Sequence, residues 1–216
     1  KNGQLHAVFQ VTKVSAKRGI HLHVRHGPVC REYTYPCLES ILIFLKTLAR
    51  KEGAWFIRIN PLVSDTDEMR ALLKAQGGMP SAIHAMDGER CWVLDLTNSE
   101  EELLSQMRKT TRYEIRQKEK FEVRVIKAYE KRHVDAFLAL YRETSLRQGF
   151  VPHRGIIEEY ALFAKEQQAD LFLGYYEKKL FSTALILYYG GEAIYHHGAS
   201  IPSKIPVSTI VQWEAI

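Results

Sequence analysis

Apolar and polar residues alternate along the chain with two periods, and the two periods take turns. Residues 5–14 and 20–25 follow the two-residue rhythm of strands and read as a hairpin across 15–19, ended by His26-Gly27-Pro28. Leu38, Ile41, Leu42, Leu45 and Leu48 recur at helical spacing and predict a helix over 36–51, stopped by Gly53. A short buried strand is expected at 54–60, a helix at 65–76 ended by Gly77-Gly78, and strands at 81–86 and 91–96. Ser99 with Glu102 is a capping box, so a helix starts there; Leu104, Met107, Thr111 and Ile115 continue its apolar stripe. A strand at 122–127, helices at 131–148 and 155–165, strands at 171–176, 180–189 and 192–197, and a helix from about 207 complete the pattern. The class is mixed α/β, with α+β-type mixed sheets.

One order of elements occurs twice. Gly3-Gln4-Leu5 opens a strand that leads through a hairpin to Val24-Arg25-His26-Gly27-Pro28, a proline at 36 and a helix. Lys178-Lys179-Leu180 opens a second hairpin that leads to Tyr195-His196-His197-Gly198-Ala199, a proline at 206 and a helix. Two related units are expected, over 1–90 and 91–216. The second copy stops before the strand that follows the helix in the first.

Charge singles out one stretch. Of the fourteen residues 107–120, six are cationic and two anionic. Lys109, Arg112, Arg116 and Lys120 fall three or four apart along one helix face, where like charges repel by roughly a few tenths of a kcal/mol per pair. A cationic row that costs local stability points to an anionic partner, and the Arg fork suits phosphate or carboxylate. A solvated face stays open as the plain alternative, with Glu114 and Glu119 answering some of the charge. The net charge of +5 over 216 residues agrees with an anionic ligand without requiring nucleic acid.

Other chemistry is sparse. The three cysteines form no close pair, which suggests a reducing compartment and no disulfide framework. No apolar run reaches membrane-spanning length, and nothing at Lys1 reads as a signal peptide. GxSxG, HExxH and P-loop patterns are absent. His21 and His23 share a strand face, but no third ligand stands at suitable spacing, so neither a metal nor a cofactor is expected. Strand alternation places Tyr195 and His197 on one face and His196 on the other. Trp92 and Trp213 read as core residues.

Several segments in order resemble the FemABX family. They are Trp92-Val93-Leu94-Asp95-Leu96, the capped helix, Lys109-Thr110-Thr111-Arg112-Tyr113-Glu114-Ile115-Arg116, the stretch from Glu143-Thr144 to Gly149-Phe150, and Ala193-Ile194-Tyr195-His196-His197-Gly198-Ala199-Ser200 through Gln212-Trp213-Glu214-Ala215-Ile216. His26-Gly27-Pro28-Val29 and Arg58-Ile59-Asn60-Pro61 match more loosely. The resemblance implies two tandem GNAT-like acyltransferase domains, here expected to be truncated at both ends. With a strand following directly on the basic helix, the chain resembles the armless, FemX-like branch.

The implied activity is non-ribosomal transfer of an amino acid from aminoacyl-tRNA to the stem peptide of a peptidoglycan precursor, which builds the interpeptide bridge in cell-wall biogenesis. The implied partners are UDP-MurNAc-pentapeptide or lipid II and aminoacyl-tRNA, with no DNA. The expected location is the cytoplasm, with any membrane contact peripheral at its inner face. Such a reaction needs no nucleophile of the enzyme's own, because the ester is already activated. For a diphosphate-bearing acceptor, Lys109, Arg112 and Arg116 are the expected anion contacts, with Tyr113 stacking on a base or bonding a sugar. The resemblance adds Tyr160 and His153 to the substrate-lining region, and Tyr195 and His197 to the channel. Two other functions stay open. One is a CoA-dependent N-acyltransferase, disfavoured because no Gly-rich pyrophosphate turn precedes a helix. The other is a non-catalytic basic module that binds RNA or anions.

Overall fold

Side-chain caps at Thr66 and Ser99 start two helices, and left-handed glycines at 53 and 149 end two others. The computed structural model describes residues 4–16, 19–81 and 91–216, and the chain divides into two compact units, Lys1–Val93 and Leu94–Ile216.

In the first unit the 5–14 strand is two strands. β1 (Ala7–Val8) pairs with β4 (Val29–Cys30), while β2 (Thr12–Ala16) forms the antiparallel hairpin with β3 (Gly19–Val24). α1 (Tyr35–Glu52) carries a proline in its first turn and ends at Gly53, whose φ of 65° is the left-handed cap that glycine adopts without penalty. It leads into β5 (Phe56–Ile59), which lies parallel to β3. Val24, Ile41 and Leu45 form the core between sheet and helix. His21 and His23 are buried on the other face of β3, where the His21 ring stacks on Phe56 with centroids 4.6 Å apart. α2 (Asp67–Ala75) starts at Thr66, whose hydroxyl accepts the Met69 amide. The strand expected at 81–86 lies, after Ser81, outside the described residues. The strand expected at 91–96 does not form: among the described residues the segment pairs with no strand, and Trp92 is 95% exposed rather than core.

In the second unit the basic stretch is two helices instead of one. α3 (Glu100–Gln106) has the expected capping box, with Ser99 and Glu102 bonding reciprocally. Met107 and Arg108 are then extended, with ψ of 156° and 147°, and α4 (Lys109–Arg116) follows. The break has a packing reason. Leu103 and Ile115 are the buried residues of the two helices, and in one straight helix they would face directions about 120° apart. Bending at 107–108 lets each turn inward. The Arg112 side chain closes the corner, its Nη1 donating to the carbonyls of Ser105 (3.1 Å) and Met107 (2.7 Å).

A four-stranded antiparallel sheet carries the rest, in the order β6 (Arg124–Ala128), β7 (Ala169–Tyr176), β8 (Lys179–Tyr189) and β9 (Glu192–Ser200). α5 (Lys131–Gln148), ended by a left-handed Gly149, and α6 (Ile156–Lys165) cover one face, with Phe137, Leu140 and Tyr141 packed on Leu171, Leu173 and Leu185. α7 (Val207–Glu214) covers the other, with Val207, Ile210 and Val211 on Phe172, Ala184 and Ile186. Each of these large side chains contributes about 1.5–3 kcal/mol by leaving water. α4 leans on α7 through the Thr209 hydroxyl donating to Glu114 (2.6 Å) and the Lys118–Glu214 ion pair (2.6 Å). The mixed α/β class read from the sequence is the one the structure has.

Candidate functional site

The second unit places its chemistry on both sides of this sheet. On the α7 side, α4 and the loop before α7 enclose a cavity of about 480 Å³ lined by Lys109, Thr110, Tyr113, Glu114, Gln117, Phe121, Lys204 and Pro206. Lys109 and Tyr113, one turn apart on α4, were expected here from sequence; Lys204, reaching in from the far loop, was not. Glu114 is the cavity's one carboxylate among the described residues, and it already accepts the Thr209 hydroxyl. The lining brings together two lysines and two aromatic side chains, Tyr113 and Phe121, suited to an anion attached to a flat or sugar-like group.

The other two cations of the expected row stand elsewhere. Arg112 is half-buried and engaged with the α3 carbonyls, so its charge first serves the corner between helices. Arg116 is exposed and does not line the cavity. Among the described residues, Glu114 and Glu119 form no ion pair with this row; Glu114 is spent on α7 instead.

On the α5/α6 side, β9 does not alternate as expected. Leu185 pairs with His197 and Ile186 with Tyr195, so His196 is an extra residue in a bulge. The bulge puts His197 on the α5/α6 face with Leu185 and sends Tyr195 to the α7 face with Ile186. Tyr195 and His197 are therefore on opposite faces, and His196 and His197 are neighbours, with ring centroids 4.2 Å apart. Tyr195 folds back over Gly198, where a Cβ would collide with the tyrosine hydroxyl. It lines a second cavity of about 170 Å³ with Thr144, Arg147, Thr183, Ser208 and Gln212. The Thr183 hydroxyl in that cavity is buried without a partner.

His196 and His197 meet two residues from elsewhere. Glu159, on the first turns of α6, accepts from His196 Nε2 at 2.8 Å and from His153 Nε2 at 3.1 Å. His153 stacks on His197 with centroids 5.4 Å apart, and its own amide donates to the Tyr141 hydroxyl. Burial pushes the pKa of the Glu159 carboxyl up, but the two histidine bonds outweigh it and hold the group below the usual carboxylate range. The His197 ring is pushed down to about 4, first by burial and then by the neighbouring His196 and His153, so it is neutral at physiological pH. Its Nε2 is buried and bonds to nothing. Tyr160, one residue past Glu159, turns away from both cavities and packs on the core of the α5/α6 face.

The FemAB family model matches residues 75–155, which takes in α3, α4, β6 and α5. The chain also has the fold of FemX: a crystal structure of that protein superposes with a TM-score of 0.76 at 16% identity, over 99% of this chain and 73% of that one. In that segment and in its fold the chain is similar to the FemABX proteins. A second solved structure, a conserved protein of unknown function from Bacteroides thetaiotaomicron VPI-5482, is similar with a TM-score of 0.55 and 19% identity, over 95% of this chain and 68% of that one. No curated protein matches the sequence. Among the chain's described residues no helix is long and apolar enough to cross a membrane.

The expected site residues are thus dispersed within the second unit. Lys109 and Tyr113 share the larger cavity, Tyr195 lines the smaller one, His197 joins the histidine cluster, and Arg112, Arg116 and Tyr160 lie in none of these. Lys204, Glu159 and His196 were missed as site residues. Nothing in local spacing points to them, because each is delivered by a loop, a helix start or a bulge from another part of the chain.

Proposed function

We propose that the chain transfers an aminoacyl group from aminoacyl-tRNA to an amine on the stem peptide of a peptidoglycan precursor, at the cytoplasmic side of the membrane. The observation that carries this reading is the cavity flanked by Lys109 and Lys204, on the helix that lies inside the FemAB match. A diphosphate suits a cavity lined by two lysines, and UDP-MurNAc-pentapeptide and lipid II both present one; Tyr113 offers a ring and a hydroxyl to the attached sugar or base. The chemistry asks little more of the protein. The amine attacks the ester carbonyl, the C–N bond forms, the C–O bond to the ribose breaks, and the amine's proton ends on the ribose hydroxyl. Holding the two reactants together supplies most of the acceleration.

The test is a single-turnover reaction of the protein with charged tRNA and UDP-MurNAc-pentapeptide, read by mass spectrometry of the precursor. The expected product is the precursor carrying one added aminoacyl group through an amide. Transfer from acetyl-CoA instead would replace this reading with the CoA-dependent one. Saturable binding of generic RNA that follows salt alone, with no precursor binding, would replace it with the non-catalytic one.

A further inference from the structure

We propose that His153, Glu159 and His197 form a binding site for a single divalent zinc-class ion, with His196 positioning the carboxylate ligand. These residues come from the loop before α6, from α6 and from β9, and each offers one ligand atom within 4.8 Å of the others. His153 Nε2 and Glu159 Oε1 are already 3.1 Å apart, close to the roughly 3.3 Å edge of a tetrahedron with zinc–ligand bonds of about 2.0–2.1 Å. The third ligand atom lies within 4.8 Å of the other two, so it must close in by up to about 1.5 Å to reach the same edge.

Three features distinguish this group from an ordinary hydrogen-bonded cluster. The first is the buried, unbonded Nε2 of His197. A buried polar atom with no partner is costly, and a metal ion would give its lone pair one. The second is the division of labour on Glu159. Its Oε2 is held by His196 at 2.8 Å, which leaves Oε1 to turn toward His153. A carboxylate ligand held from behind by a hydrogen bond is how protein zinc sites orient their ligands. The third is support and access. Tyr141 pins the His153 amide and packs edge-on to the His197 ring, while the His153 side chain remains 44% exposed, so the site is fixed on one side and open to solvent on the other.

Two imidazoles and one carboxylate are a borderline donor set, suited to Zn²⁺ and its first-row neighbours rather than to Mg²⁺ or Ca²⁺. With three protein ligands the fourth position falls to water. Among the described residues this is the one group of three or more His, Cys, Asp or Glu side chains so arranged. The site is independent of the acyl-transfer reading, since it lies on the opposite face of the sheet from the Lys109–Lys204 cavity.

The test titrates the metal-stripped protein with Zn²⁺ by calorimetry and with Co²⁺ by visible absorption. The expected result is one ion per chain with the intense bands of tetrahedral Co²⁺. His153→Ala and Glu159→Gln should abolish the stoichiometric site, and His196→Ala should weaken it by roughly 10–100-fold. His26→Ala, an exposed histidine of the other unit, should leave binding unchanged. His197→Ala changes a more enclosed position, so His153→Ala and Glu159→Gln, with folding checked by circular dichroism, decide the outcome if it fails to fold. Absence of stoichiometric binding, an octahedral Co²⁺ spectrum, or equal binding by His153→Ala, Glu159→Gln and the unaltered protein would overturn the proposal.

Discussion

The two faces of the second unit's sheet are built to different plans. The α5/α6 face buries the larger core, with Phe137 and Leu173 almost fully enclosed, and it holds the histidine–glutamate cluster. The α7 face is covered by a helix of eight residues, propped by α4, and beside that prop it leaves about 480 Å³ of cavity between two lysines. One face spends most of its side chains on packing and internal bonds, the His197 Nε2 excepted. The other keeps charged groups uncommitted next to space. A site for a large anionic ligand needs the second arrangement, and a stable domain needs the first.

This contrast makes stability and binding separable. Phe137→Ala removes a ring that is 1% exposed from the α5/α6 core. It should cost about 3–5 kcal/mol in chemical denaturation, while the fraction still folded binds ligand on the α7 face with unchanged affinity. Gly174→Ala strikes the other face, where a Cβ would press on the buried Val207 and Val211 side chains. It should cost less, about 1–3 kcal/mol, yet weaken ligand binding, because α7 cannot shift without moving Lys204 and Pro206. If Phe137→Ala impaired affinity more than Gly174→Ala, the two faces would not be independent.

Smaller changes sharpen the same point. Arg112→Ala frees two carbonyls at the α3–α4 corner and should cost about 1 kcal/mol. Its effect on ligand affinity should be smaller than that of Lys109→Ala, contrary to the equal roles the sequence pattern suggested. The smallest effect is a pH dependence. Burial raises the Asp170 carboxyl, but bonds from Lys127, Tyr188 and Tyr129 outweigh it and hold the group below its ordinary range. A carboxyl depressed in the folded state contributes stability above its unfolded value and loses it as pH falls toward the folded value. Denaturation midpoints should therefore drop on the acid side of the usual carboxylate range, and Asp170→Asn should flatten that limb while leaving a lower plateau at neutral pH.

The elements were legible where local chemistry sets them. Gly53 and Gly149 stop helices because they reach the left-handed conformation cheaply, and Ser99 starts one because its hydroxyl and Glu102 satisfy free amides. The site was legible only in part. Lys109 and Tyr113 share a helix face, so their spacing reveals them. The corner at Met107–Arg108 follows from where Leu103 and Ile115 must pack, which no local period encodes. The bulge at His196 inverts the expected faces of Tyr195 and His197, since one inserted residue reverses every later side chain. The convergence of His153, Glu159 and His197 depends on that bulge and on the loop that Tyr141 fastens, so it exists only in three dimensions. Trp92 misled because an apolar residue is a core residue only where the fold gives it a surface to meet.

The cavity's role is tested most directly by calorimetric titration of UDP-MurNAc-pentapeptide into the unaltered protein and into the Lys109→Ala/Lys204→Ala double variant. Both lysines are exposed, so folding should be preserved. The expected result is saturable binding to the unaltered protein, weakened roughly tenfold or more per lysine in the variant. Equal affinity in the two proteins would contradict the assignment of the Lys109–Lys204 cavity as the precursor site.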